Sequence, residues 1–159
     1  MLRRLIATER RLAPLLLRLS LGVVFFPHGA QKALGLFGGE GFSGTVASFE
    51  KGGMPAPLAV LVIAAEFLGS LGLLVGLLTR VAALGIGTVM TVAILKVHLA
   101  NGFFMNWFGK VDAATGKAAG EGFEYHLLAL GIALALMAAG GGAASADLAL
   151  SRRPPPPNP

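Results

Sequence analysis

Three stretches of this chain carry groups able to do chemistry. His28, Gln31 and Lys32 follow an apolar run in "VFFPHGAQK", Glu66 interrupts "AVLVIAAEFLGS", and His98 closes "TVAILKVH". A histidine with a reference pKa of about 6.5 exchanges protons at neutral pH. A lysine supplies positive charge to an anionic or electron-rich ligand. A carboxylate in an oily sequence is the most informative of the set: left charged among hydrocarbon it is costly, so it must pair with a cation or face a cavity. Lys32 and Arg18 are the available partners for Glu66. A further group, Glu124, Tyr125 and His126, opens the last apolar segment. The chemistry these types support is proton exchange beside a bound small anionic or electron-rich molecule. Glu66, His28 and His98 would be the proton-handling groups; Lys32, Gln31, Arg18 and Glu124 would be the ligand-binding ones.

Such residues need elements to hold them. The chain has 159 residues, 55% hydrophobic and only 13% charged, against about 45–50% and about 25% in soluble domains. Four segments approach the roughly 20 apolar residues that a spanning helix needs: 14–36, 57–78, 81–100 and 123–140. They predict an all-α, four-transmembrane-helix bundle over residues 14–150. Gly69, Gly72 and Gly76 fit close helix packing in lipid. In the first outer loop, Phe42, Val46 and Phe49 have helical spacing and Gly52–Gly53 would end a short helix. In the second, Phe103, Phe104, Trp107 and Phe108 suit an interfacial aromatic belt. Residues 1–13 are expected as a cytoplasmic amphipathic helix lying on the membrane, with Glu9 misplaced on its apolar face. Residues 151–159 are expected as a proline-rich cytoplasmic tail. Arg18 interrupts the first apolar run, so no cleaved signal peptide is expected.

Arginine placement sets direction. Arg3, Arg4, Arg10, Arg11, Arg80, Arg152 and Arg153 all fall on one side of a four-span chain, and only Lys51, Lys110 and Lys117 lie in the opposite loops. That bias puts both termini in the cytoplasm of a cell whose plasma membrane the chain crosses. The net charge of +5 thus reads as membrane topology rather than nucleic-acid binding. Glu66 then lies about 13 Å below Pro57, at 1.5 Å per residue, while His28, Lys32, His98 and Glu124 sit in the outer half. His28, Gln31 and Lys32 share one side of their helix, and Thr88, Thr91 and His98 form a stripe on the third. Lys96, about 200° around from His98 at 100° per residue, is expected to face elsewhere and snorkel upward. The absence of cysteine excludes disulfides and thiol redox chemistry within the chain. No metal site is expected, because the three histidines come from three helices with no ligand spacing among them. No phosphate loop or dinucleotide fingerprint occurs.

The ordered pieces "RLSLGVVFFPHGAQKALGLFGG", "AAEFLGSLGLLVGLLTRVAAL", "VHLANGFF" and "GFEYHLLALGIALAL" resemble the DoxX family of small membrane proteins, from about Arg18 to Asp147. The resemblance implies a four-helix membrane fold with a short helical element in the first outer loop and a link to membrane redox systems. Some relatives are described as subunits of a thiosulfate:quinone oxidoreductase, and others are placed in an oxidoreductase complex with superoxide dismutase and a sulfurtransferase. By motif position it carries over Arg18, His28, Gln31, Lys32, Glu66, His98 and Glu124; it gives no role to His126. The expectation is therefore an integral subunit of a redox system, whose own enzymatic activity is open. A bound quinone is the candidate cofactor, and the partners would be the bilayer, a redox protein and a second copy of the chain. The rival expectations are a non-catalytic membrane scaffold and a small proton-coupled permease.

Overall fold

The computed structural model describes residues 2–113 and 115–151. The side chains of Leu2 and Arg3, and all of Arg152, Arg153 and the proline-rich tail, lie outside the described residues. The fold is all-helical. It comprises α1 (Leu2–Ile6), α2 (Leu12–Leu34), α3 (Gly41–Lys51), α4 (Ala56–Val75), α5 (Thr79–Ala93), α6 (Glu124–Ala139) and α7 (Ala146–Ser151). A wide π turn, Ile94–His98, and a tight turn, Leu99–Asn101, continue α5 without a break. Three stretches are long and apolar enough to cross a membrane: Leu12–Leu34, Ala56–Val75 and Thr79–Asn101. The fourth, Glu124–Ala139, is apolar but shorter than the 123–140 segment read from the sequence.

Glycine and proline set the ends. Gly35, at φ 72°, closes α2, and Gly76, also at φ 72°, closes α4 with the Leu77 N–H turned back to the Gly72 carbonyl at 2.8 Å. These left-handed positions suit glycine, which has no Cβ to clash. Pro55 and Pro57 begin α4, where a missing amide hydrogen costs nothing. Pro27 stands inside α2; it frees the Val23 carbonyl and loosens the helix one residue before His28.

α2 packs on α4, α4 on α5, α5 on α6, and α6 returns to α2. Leu21, Phe25, Leu73, Ile86, Met90, Ala133 and Leu136 fill the centre. Small residues allow the crossings. Gly85 meets Ala65, Gly87 meets Ala133, and a Cβ on Gly29 would lie 2.5 Å from the Phe67 Cα. The outside is as oily as the inside: Val23, Leu61, Leu68, Leu84, Leu95, Leu128 and Leu134 are exposed, while Arg18, Glu66, His126 and Asp147 are buried. That inversion is what lipid as solvent requires.

One end of the bundle is locked by polar groups. Arg18, 1% exposed, donates all five of its N–H groups to the carbonyls of Leu73, Leu74, Gly141, Ala143 and Ala144. The Asp147 carboxylate accepts the Leu78 and Thr79 N–H groups at 2.8 and 2.9 Å, serving as the N-cap that Leu78 cannot provide to α5. Arg80 donates to Met137 and Ala138 at the end of α6, and to Leu5 and Ala7. The helix expected over 1–13 therefore stops at Ile6. Residues 7–11 instead cross the Gly140–Gly142 turn, with Thr8 Oγ1 accepting the Gly142 N–H and the Arg11 carbonyl accepting the Ala143 N–H. Glu9 avoids any apolar face by pairing with Arg11 at the surface.

Two outcomes follow from these contacts. Arg18→Lys keeps the charge but has three donors for five carbonyls; at about 1–3 kcal/mol for each polar group left unmet, it loses roughly 3 kcal/mol, read as a lowered midpoint of thermal unfolding in lipid nanodiscs. Gly29→Val forces α2 away from Phe67, so a spin-label distance between the C-terminal end of α2 and the N-terminal end of α4 lengthens; an unchanged distance contradicts the close crossing.

Candidate functional site

Beside the Ala65–Gly85 crossing, α4 and α5 border a cavity of about 650 Å³. Its walls are mostly apolar, including Phe25, Leu58, Leu61, Val62, Val89 and Val92. Into it come His28 and Lys32 from α2, Glu66 from α4, Lys96 and His98 from the π turn, and Tyr125 and His126 from the first turn of α6.

Two polar pairs organise this space. Lys32 Nζ stands 2.6 Å from Glu66 Oε2, with the carboxylate residue 5% exposed. α3 supports the pair from outside: the buried Thr45 donates its hydroxyl to the Lys32 carbonyl at 3.3 Å. In the second pair, the rings of His98 and His126 lie 4.0 Å apart between centroids. His98 Nδ1 is 2.8 Å from the Glu121 carbonyl. A carbonyl can only accept, so that nitrogen carries the hydrogen. Asn101 donates to the same carbonyl at 3.0 Å, which fixes the loop before α6 against the end of the third apolar helix. Two side-chain atoms near this pair, Tyr125 OH and His126 Nδ1, are buried without a hydrogen-bond partner among the described residues. Buried polar atoms are rarely left so. The residues that carry these atoms belong to the cavity wall.

The structure thus gathers four of the seven sequence-derived site residues, Glu66, His28, His98 and Lys32, and leaves three elsewhere. Arg18 lies at the opposite end, and its five donors are spent on backbone carbonyls, so none remains for a ligand or for Glu66. Gln31 shares a helix side with His28 and Lys32 in outline only; its Nε2 donates to the Phe37 carbonyl and holds the turn after α2. Glu124 turns outward, where Oε1 accepts the Met105 N–H at 3.0 Å and Trp107 Nε1 at 2.8 Å. It anchors the aromatic loop before α6, in which Trp107 and Phe108 are 74% and 90% exposed.

Other residues join that the sequence reading left out of the site. Lys96 lines the cavity instead of facing away. It sits in the π turn, where fewer degrees of rotation per residue shift everything after Ile94 out of simple α-helical register. His126 packs directly on His98 and is buried. A signal for it existed: His126, Ala129, Ala133 and Leu136 recur at helical spacing, and the two alanines mark the face on which α6 packs. His126 heads that face and so must point inward. His28, by contrast, is an exposed member of the wall, with its ring centroid 6.4 Å from that of Phe25.

Comparison with known proteins converges on one assignment. Residues 13–99 match the family model described as DoxX. Over 122 residues the chain is 31% identical to the "Putative oxidoreductase CatD" of Bacillus subtilis (strain 168), an alignment that covers 77% of this chain and 76% of the relative. No solved structure matches the chain. The matched segment contains the Lys32–Glu66 pair, the α4–α5 crossing and His98, and on that footing the chain belongs to the DoxX family of membrane proteins.

Proposed function

We propose that this protein is an integral subunit of a membrane redox system whose outer cavity binds a quinone-like molecule entering sideways from the bilayer. The observation that carries the reading is the meeting of the Lys32–Glu66 and His98–His126 pairs in one cavity of about 650 Å³ with apolar walls. Ligand sites typically enclose about 300–1,000 Å³, mostly apolar with a few convergent polar groups. The exposed Leu58 and Leu61 of α4 and Val92 of α5 frame the opening, so a lipid-soluble molecule reaches it without leaving the membrane. The relative's printed name, an oxidoreductase, agrees with that class of ligand.

In this reading residues 14–150 form the membrane domain, α6 is the fourth span, and both termini lie in the cytoplasm under the plasma membrane. The Arg80 contacts support that topology: they bring the start of α5, the end of α6 and the segment after α1 to one end of the bundle. Sixteen residues of α6 reach about 24 Å at 1.5 Å per residue. A bilayer core of about 30 Å accommodates the shortfall by local thinning. Lys32 balances the charge of Glu66 and donates to the head of the ligand. Glu66 and His98 hold or pass on the protons that accompany a change in the ligand's redox state. Electrons come from a partner protein, since the chain has no cysteine and no sequence motif for a redox cofactor.

The test is quinone retention. Protein extracted gently into nanodiscs should carry quinone above the level of the surrounding lipid when assayed by mass spectrometry, and Glu66→Gln should lose that enrichment. Absence of enrichment in the native protein defeats the proposal. A scaffold role is separated by stability. Glu66→Ala alone leaves the Lys32 charge unpaired and lowers the unfolding midpoint by several degrees. The double replacement Lys32→Met/Glu66→Met removes both charges and restores most of it. A binding role requires that the restored double variant still carry no quinone.

A further inference from the structure

We infer that the cavity selects the reduced, hydroxyl-bearing form of its ligand: a quinol head in preference to the oxidised dicarbonyl. The inference rests on the quinone reading above and goes one step further, to the oxidation state that binds.

The argument concerns which hydrogen-bonding valences remain open once the protein has satisfied itself. Lys32 occupies Glu66 Oε2, while Glu66 Oε1 has no partner among the described residues. The Glu121 carbonyl takes the hydrogen of His98 Nδ1, so the neutral ring presents Nε2 as a bare lone pair. Two walls of one cavity, α4 and the π turn after α5, therefore each offer an acceptor. A dicarbonyl head has no hydrogen to give either of them. A dihydroxy head has one for each.

The donors in the cavity do not discriminate in the opposite sense. A phenolic oxygen accepts a hydrogen bond while donating its own, so Lys32, 25% exposed at the cavity wall, can serve either form of the head. Only the two acceptors tell the forms apart, and leaving them unmet in a low-dielectric cavity is unfavourable. The tautomer of His98 is consequently a specificity device. It is set by a backbone carbonyl of the outer loop, which Asn101 also grips. Gly122 keeps that loop in register: a Cβ there would overlap the carbonyls of Gly102, Phe103 and Phe104.

Three probes with the same ring and tail separate the possibilities: a decyl-substituted benzoquinone, its hydroquinone kept anaerobic, and the dimethyl ether of that hydroquinone. Their affinities for the protein in nanodiscs are measured by calorimetry at pH 7. The expected order is hydroquinone tightest, by at least about tenfold over both others, the cost of an unmet buried acceptor. His98→Phe keeps a ring against His126 but removes the lone pair, and should reduce the preference to within about threefold. Nitrogen-15 spectra of histidine-labelled protein should show His98 protonated at Nδ1 and bare at Nε2. Equal binding of all three probes, tighter binding of the quinone, or a hydrogen on Nε2 overturns the inference while leaving quinone binding intact. Failure of every probe to bind overturns the quinone reading as well.

Discussion

A carboxylate placed inside a lipid-embedded bundle has no water to solvate it, and the rest of this structure is arranged around the answer to that constraint. Lys32 Nζ meets Glu66 Oε2 at 2.6 Å. For that contact α2 and α4 must approach closely at the right height, which Gly29 permits by letting the Phe67 backbone lie against it. They must also be kept in register, which the Arg18 contacts to Leu73 and Leu74 achieve at the other end of the same helix pair. The ion pair, the glycine crossing and the arginine clamp are three heights of a single interface.

The two ends of the bundle use polar groups in opposite ways. At the Arg18 end, valences are closed: the guanidinium is saturated by carbonyls, and the Asp147 carboxylate is occupied by two backbone N–H groups. At the cavity end, valences stay open: one oxygen of Glu66, one nitrogen of His98, the Tyr125 hydroxyl and His126 Nδ1 find no partner among the described residues. A fully satisfied network rigidifies, whereas an unsatisfied one is costly until something fills it. The helices that carry the open groups are tied together by the closed ones.

Much of this was legible in the sequence because lipid imposes simple rules. Apolar length located the three long helices to within a few residues, and Gly52–Gly53 marked the end of α3. The expense of a carboxylate in hydrocarbon singled out Glu66 and named Lys32 as one of its two available partners. What failed was everything that depends on side-chain valence being used up elsewhere. Gln31 and Glu124 have the right type and height, yet each is committed to a turn or loop that only the folded chain brings near. Lys96 was misplaced because a π turn is not visible in hydrophobic spacing. His126 was passed over because α6 is apolar on every side, so that only the small residues at 129 and 133 reveal which face packs.

The contrast between Arg18 and Lys32 states the general point. Both are cations on the same helix, both would be expensive if unpaired, and family position nominates both. Arg18 has a planar fork of five donors, suited to gathering the frayed carbonyls where α4 ends and the Gly140–Ser145 turn begins. Once it has done so, its charge is enclosed and has no capacity left. Lys32 is a point charge with three donors, one of which meets Glu66, and it remains 25% exposed at the cavity wall. Function in a membrane bundle therefore follows from residual hydrogen-bonding capacity rather than from the presence of charge. By that measure the cavity between α4 and α5 is where this chain is chemically unfinished.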